Sequence, residues 1–254
     1  MLRLLRIEFL KVKTYKTFWA FLVIYALLIL LFSGSSNSGS SDSTQTIFSF
    51  PYVWENLAQR ASYFNVLLGI LTILLISNEF TFKTFRQNVI DGLSRDEAVT
   101  AKFIFIIAIA LACVLFLLLY GLIRGFTSGH FDHVGQIFEQ THFLLKLFVQ
   151  IAGYMGIAAV LAFLFRKAAL TIVVYLIYMV ALERLLYLRI PDELQRYLPV
   201  HVLSSLVPDN FFQFLTSGFT ETEPLSISVV VLLAIGYFLL CLTLSRLLML
   251  RRAL

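Results

Sequence analysis

The stretch AKFIFIIAIALACVLFLLLYGLI occupies residues 101–123 and contains one charged residue, Lys102. About 20 apolar residues are enough for an α-helix to cross the hydrocarbon core of a bilayer. The whole chain has a matching composition, with 59% hydrophobic and 14% charged residues and a mean hydropathy of +0.87. Soluble globular domains carry roughly 25% charged residues. The sequence therefore predicts an integral membrane protein.

Five further apolar runs predict an all-α integral membrane protein that forms a single transmembrane domain over residues 1–254. The six predicted transmembrane helices are 17–33, 62–77, 101–123, 143–165, 168–190 and 227–250. An even number of spans places both termini on the same side of the membrane. Cys113 and Cys241 lie inside apolar runs, which argues against a disulfide framework.

The basic residues divide unequally between the two ends of the predicted spans. Fourteen of the 20 Lys and Arg residues lie on the same side as the termini. Because Lys and Arg accumulate in cytoplasmic loops, we expect cytoplasmic N- and C-termini. This topology and the neighbouring anionic membrane lipid account for the net charge of +5, so no nucleic-acid partner is expected.

The basic leader, residues 1–16, precedes the first span and carries a loose apolar stripe at Leu2, Leu5, Phe9 and Val12. Such a stripe among basic residues is typical of a helix that lies in the membrane interface. The alternative is a simple positive flank that orients the first span.

The longest predicted cytoplasmic connection is residues 78–100, NEFTFKTFRQNVIDGLSRDEAVT. Its apolar residues recur at the spacing of one helical face: Phe82, Phe85, Val89 and Leu93. We therefore expect a short amphipathic helix that Gly92 ends with a left-handed cap. Ser94 and Glu97 have the spacing of a capping box, which predicts the start of the next helix. A connector that happens to be amphipathic is the alternative.

The segment between the fifth and sixth predicted spans is too long and too apolar to be a plain loop. Pro191 and Pro208 are each followed by aspartate, which predicts the starts of two short helices, and Pro199 interrupts between them. Both helices are too short to span. We expect residues 191–218 to form an outer re-entrant hairpin, which at membrane depth must pack against protein.

Glu183 and Arg184 are adjacent charges in the outer third of the fifth predicted span. Ionisable residues inside a membrane are candidate functional residues. With Phe211 and Phe212 of the expected hairpin, they are candidates for a translocation path or outer gate. The alternative is a structural role, in which the two charges reach the interface or pair with the hairpin, for example with Arg196.

Motifs for nucleotide binding and hydrolysis are absent from the sequence. There is no Gly-x-x-x-x-Gly-Lys-Ser/Thr loop to hold phosphate, no Gly-x-Ser-x-Gly and no His-Glu-x-x-His. His130 and His133 with Asp132 are at most a fragment of a metal site. We expect no catalysis, bound metal or cofactor in this chain.

Three short motifs follow the second predicted span: Glu79, then Thr84-Phe85-Arg86, then Ser94-Arg95. Together with the basic interfacial helix and six spans with both ends inside, they resemble the permease subunit of ABC-2 type transporters. Lys83 stands where this family often has glycine, and Gly92 falls near a position that is often proline.

The resemblance implies that residues 79–95 form a cytoplasmic coupling helix that docks in a groove of a separate ATPase subunit. The implied interface residues are Glu79, Lys83, Thr84, Phe85, Arg86, Ser94 and Arg95. It also implies an exporter in the bacterial plasma (inner) membrane, formed by two permeases, identical or related, and two ABC ATPase subunits that bind ATP and Mg. Two other classes stay open, an enzyme with an outer acid/base site at Glu183 or the histidines, and an ion-coupled secondary carrier.

Overall fold

The computed structural model describes residues 2–34, 50–90, 92–128, 134–187, 189–207 and 225–251. Every regular element within these ranges is a helix. The α-helices are α1 (Leu2–Lys13), α2 (Lys16–Gly34), α3 (Val53–Thr81), α4 (Thr84–Ile90), α5 (Arg95–Ser128), α6 (His142–Phe165), α7 (Ala168–Ile177), α8 (Glu183–Tyr187), α9 (Asp192–Gln195), α10 (Pro199–Ser204) and α11 (Ile227–Arg251). A 3-10 turn, Val134–Ile137, precedes α6, and a π-helical turn, Tyr178–Leu182, joins α7 to α8.

Five of the described helices are long and apolar enough to cross a membrane: α2, α3, α5, α6 and α11. They coincide with the first, second, third, fourth and sixth predicted spans. Helices α3 and α5 extend beyond the predicted bounds 62–77 and 101–123. The reason is that the uncharged runs end near charges such as Arg60, Glu79 and Arg124, whereas helical hydrogen bonding continues past the hydrocarbon core.

The fifth predicted span, 168–190, differs from the others. Its apolar helical part is the shorter stretch Ala168–Leu182, which at 1.5 Å per residue reaches about 23 Å of a core about 30 Å thick. The helical path continues through the π-helical turn into α8, where charge begins at Glu183. Length and composition thus support five spans among the described residues, and the fifth predicted span is a shorter apolar helix.

Helices α3 and α6 form the centre of the bundle. The most apolar stretch of the segment containing α6 is 67% buried, against 17% for α11 and 22% for α2. Small residues on α6 let neighbours approach closely, as is usual for helices packed in membranes. A Cβ atom on Gly153 would lie 2.3 Å from Leu203 Cδ2, so α10 packs directly against the α6 backbone.

The segments predicted to be cytoplasmic meet at one end of the bundle. Lys102 near the start of α5 contacts Glu8 of α1, and Arg95 and Arg166 both contact Met249 near the end of α11. We call this the basic end, comprising residues 2–16, 78–90, 92–102, 165–168 and 245–251. Helices α9 and α10 follow α8 towards the opposite end.

Candidate functional site

An ion cluster at the basic end joins α1 to α3 and α5. Lys102 Nζ lies 2.6 Å from Glu79 Oε1 and also binds Glu8 Oε2. Lys11 Nζ lies 3.1 Å from an oxygen of each glutamate. Glu8, Glu79 and Lys102 are buried, so each of these charges depends on the others for compensation.

Glu79 has a different immediate role from the one that the resemblance implies. Its carboxylate points into the chain and binds Lys11 and Lys102, so its contacts in the structure are intramolecular. A contribution of Glu79 to a partner interface would therefore act through the positions of α1 and α4. Glu8 and Lys102 were not among the predicted site residues, although a lysine at the edge of an apolar run could have signalled a buried ion pair.

The predicted coupling helix over residues 79–95 is divided in the structure. Helix α3 continues to Thr81, Phe82 and Lys83 form a turn, and α4 covers Thr84–Ile90. Lys83 has a φ of 57°, in the left-handed region that favours glycine. This turn explains physically why glycine suits this position in the family that the sequence resembles.

Replacing Lys83 by glycine is expected to raise the free energy of unfolding by about 0.5–1 kcal/mol, because glycine relieves the left-handed strain but has more entropy to lose. Lys83→Ala removes the same exposed side chain and retains the strain, so it should give no gain. Thermal unfolding in a zwitterionic detergent measures both variants. Equal effects of glycine and alanine would contradict this account of the turn.

Phe85 is buried within the chain, whereas the expected coupling helix would present it to a partner subunit. Its side chain is 1% exposed, with its ring centroid 5.2 Å from that of Phe80 and 6.5 Å from that of Phe163. The inward face of α4 therefore covers the ends of α3 and α6. Among the described side chains of this segment, the exposed apolar ones are Phe82 and Ile90, which are 72% and 74% exposed.

The boundary between α4 and α5 agrees with the sequence analysis. Gly92 has a φ of 96°, which suits the predicted left-handed cap. The Ser94 amide donates to Glu97 Oε2 at 3.0 Å, and the Glu97 amide donates to Ser94 Oγ at 3.2 Å. These two hydrogen bonds confirm the capping box.

Among the remaining predicted interface residues, Arg95 and Thr84 make contacts within the chain, and the Arg86 side chain lies outside the described residues. Arg95 Nη1 donates to the Met249 carbonyl at 3.2 Å and so binds the end of α11. Thr84 Oγ1 donates to the Glu79 carbonyl at 3.4 Å. Arg86 lies in α4, but its side chain lies outside the described residues.

At the opposite end, Glu183 binds the first turn of α10. Its buried carboxylate accepts hydrogen bonds from the Val200 amide at 2.7 Å, the His201 amide at 3.1 Å and the Tyr178 hydroxyl at 3.1 Å. Leu198, at the N-cap position, provides no side-chain hydrogen bond. Glu183 therefore takes the place of the usual capping side chain at a positively polarised helix end.

The described part of the expected hairpin differs in one respect from the prediction. Helix α9 begins after Pro191, as expected. Pro199 was expected only to interrupt, but it begins α10, because proline lacks the amide hydrogen that the first helical turn does not use. The second predicted short helix, with Phe211 and Phe212, lies outside the described residues, as does the Arg184 side chain.

A chain of buried polar side chains crosses the bundle, and the sequence analysis did not find it. The Tyr25 hydroxyl donates to Asn65 Oδ1 at 3.2 Å, and Asn65 Nδ2 donates to Gln150 Oε1 at 2.9 Å. Gln150 Nε2 then donates to the Leu203 carbonyl in α10 at 3.0 Å. Two amide side chains inside predicted spans were the available signal, since such groups need partners away from water.

Taken together, the five candidate spans and the buried polar contacts define a multi-pass membrane protein. No group of three or more His, Cys, Asp or Glu side chains in the part of the chain that the structure describes could hold a metal ion. The described ion cluster and the contacts of Glu183 link helices to one another.

The family model for ABC-2 family transporter proteins matches residues 4–182. The chain therefore belongs to the ABC-2 transporter family, as a permease subunit that is a membrane component and not itself an enzyme. The match runs from α1 through the π-helical turn, so it contains the ion cluster and α4. Permeases of this family generally act with ABC ATPase subunits. No individual curated protein matches the chain.

Proposed function

We propose that this permease forms the translocation path of an ATP-driven exporter in the bacterial plasma membrane. Two permeases, identical or related, would act with two cytoplasmic ABC ATPase subunits, which bind the ATP and Mg. The basic end faces the cytoplasm in this proposal, the predicted span 168–190 completes six crossings, and residues 191–218 form the outer hairpin.

The coupling proposal rests on a difference between the two sides of α4. The inner side is buried in the bundle, whereas apolar side chains next to it are exposed. On its inner side, Phe85 is buried against Phe80 and Phe163. Just before the helix and at its end, Phe82 and Ile90 expose most of their apolar surface. At a proposed cytoplasmic surface, these two side chains are available as apolar anchors for a docking subunit. If an ATPase subunit moved these side chains, the buried inner face of α4 would transmit the movement to α3 and α6.

The proposal is tested by replacing Phe82 and Ile90 together by serine. If they are the apolar anchors of the ATPase interface, association with the co-expressed ABC ATPase should weaken by about 1–3 kcal/mol, or roughly 5- to 150-fold. Co-purification and titration in detergent measure the change. The matched control is Phe138→Ser with Leu194→Ser, which removes two exposed apolar side chains distant from α4. Equal affinity of the test variant and the wild type would contradict the docking role of α4.

The proposed sidedness predicts the labelling of two engineered cysteines. In a chain with the buried Cys113 and Cys241 replaced by alanine, a cysteine at exposed position Glu139 should react with an impermeant thiol reagent in intact cells. A cysteine at exposed position Gln87 in α4 should react only after permeabilisation. The opposite labelling pattern would show that the basic end faces outside.

The surroundings of Glu183 favour the permease proposal over an acid/base enzyme. Three donors already bind its buried carboxylate, and two of them are backbone amides of α10. A general base needs an oxygen within reach of a substrate proton. The contacts of Glu183 instead support a role in holding the outer hairpin, which we propose closes the translocation path on the outside.

A further inference from the structure

A basic cleft lies between the α3–α4 turn and the α6–α7 turn, with a volume of about 560 Å³. Its rim carries three cationic side chains and its walls three aromatic ones, which are Lys83, Arg166, Lys167, Phe80, Phe85 and Phe165. The nearby ion cluster contains neither Lys83 nor Lys167. The cleft is therefore a separate feature at the basic end.

The two lysines of the cleft have no acidic partner among the described residues. In the ranges that the structure describes, neither Lys83 nor Lys167 forms an ion pair, and both are exposed. The acidic residue that lines the cleft, Glu79, already binds Lys11 and Lys102. The cleft thus presents positively charged side chains that can bind an anion.

The position of the cleft restricts the kind of anion. Its walls include the ends of two candidate membrane spans, α3 and α6, which is the level of the lipid head groups. Arg166 lies with its guanidinium carbon 5.2 Å from the centre of the Phe80 ring, so cationic and apolar surfaces adjoin. Basic pockets between spanning helices at this level suit anionic lipid head groups.

We propose that the basic cleft binds the phosphate head group of one anionic phospholipid. The two lysines and Arg166 contact the phosphate, and the accessible parts of Phe80 and Phe165 contact the first carbons of the acyl chains. A carboxylate of a docking protein would satisfy the cations but would leave the aromatic walls without an apolar partner. The site requires only a position at the membrane surface, and lipid binding can be measured without the ATPase.

The test counts the phosphatidylglycerol molecules that the isolated permease retains from mixed phosphatidylcholine and phosphatidylglycerol nanodiscs, by native mass spectrometry. Lys83→Gln with Lys167→Gln should weaken retention of one phosphatidylglycerol by roughly fivefold for each charge removed, or about 25-fold for both. Lys83→Arg with Lys167→Arg should retain it. The matched control, Lys13→Gln with Lys16→Gln, removes two exposed lysines at the same end outside the cleft and should leave that molecule bound.

Equal losses in the cleft variant and the control variant would overturn the proposal, because they would indicate only a general surface attraction. Unchanged phosphatidylglycerol binding by the cleft variant together with loss of ATPase association would also overturn it and would assign the cleft to a protein carboxylate. Because the lipid is counted without any ATPase present, failure of the coupling proposal leaves this result interpretable.

Discussion

Replacing Lys102 by methionine is expected to lower the free energy of unfolding by about 3–5 kcal/mol, because removal of one member of a buried ion cluster leaves uncompensated charge. Lys102 is the cation between Glu8 and Glu79, and the three side chains are buried. Lys11 alone remains to compensate both carboxylates. We expect α1 to detach, and thermal unfolding with limited proteolysis of the N-terminal segment measures this.

The controls for Lys102→Met separate charge from packing. Lys13→Met changes an exposed lysine of α1 and should alter stability little. Adding Glu8→Gln and Glu79→Gln to Lys102→Met removes the unpaired charges and should recover much of the loss. If the single variant is as stable as the wild type, the ion cluster does not hold α1.

The ion cluster also predicts how the stability responds to acid. Burial by itself raises the pKa of Glu8, but the charges of Lys102 and Lys11 outweigh this effect and hold the pKa below its ordinary value. A carboxyl with a lower pKa in the folded state stabilises the fold above its unfolded pKa. This stabilisation is therefore present at neutral pH and is lost as the pH falls through the folded pKa of Glu8.

Replacing Glu183 by leucine is expected to lower the free energy of unfolding by about 2–4 kcal/mol, because it leaves polar donors without their acceptor. The amides of Val200 and His201 and the hydroxyl of Tyr178 lose their common partner. Glu183→Gln should have an intermediate effect, since an amide offers a single acceptor oxygen. We expect α10 to detach from the bundle and transport to fail.

Hydrogen exchange of residues 200–207 is the readout for Glu183, because docked backbone amides exchange slowly and released ones exchange rapidly. Glu139→Gln is the control, an exposed carboxylate outside this contact. Wild-type protection of these amides in Glu183→Leu would remove the capping role. Intact protection with lost transport would point instead to a direct role of Glu183 in the translocation path.

Local features were predictable because they depend on residues within one helical turn. The Ser94 and Glu97 capping box, the Gly92 turn and the start of α9 after Pro191 are examples. That the chain is a membrane protein was also predictable, because burial of apolar surface in lipid depends on composition and on the length of the apolar stretches. Residues 79–95 were recognisable as the distinctive segment of the chain for the same local reasons.

Which side chains pack against one another depends on contacts between helices that are far apart in the sequence. Phe85 and Phe82 share a helical spacing, yet the packing of α3 and α6 buries Phe85 and leaves Phe82 exposed. Spacing alone cannot decide this, because the same amphipathic pattern suits burial against the chain's own helices or against a partner.

The sequence by itself determined an all-α membrane protein with apolar spans, a basic end and the helix boundaries at Ser94 and Pro191, because these follow from composition and short-range hydrogen bonding. Only the tertiary structure decided that Lys102 binds Glu8, that Asn65 binds Gln150 and that Glu183 caps α10. The physical reason is that a buried polar group must find its partner in three dimensions, and residue spacing along the chain does not specify which distant group comes within reach.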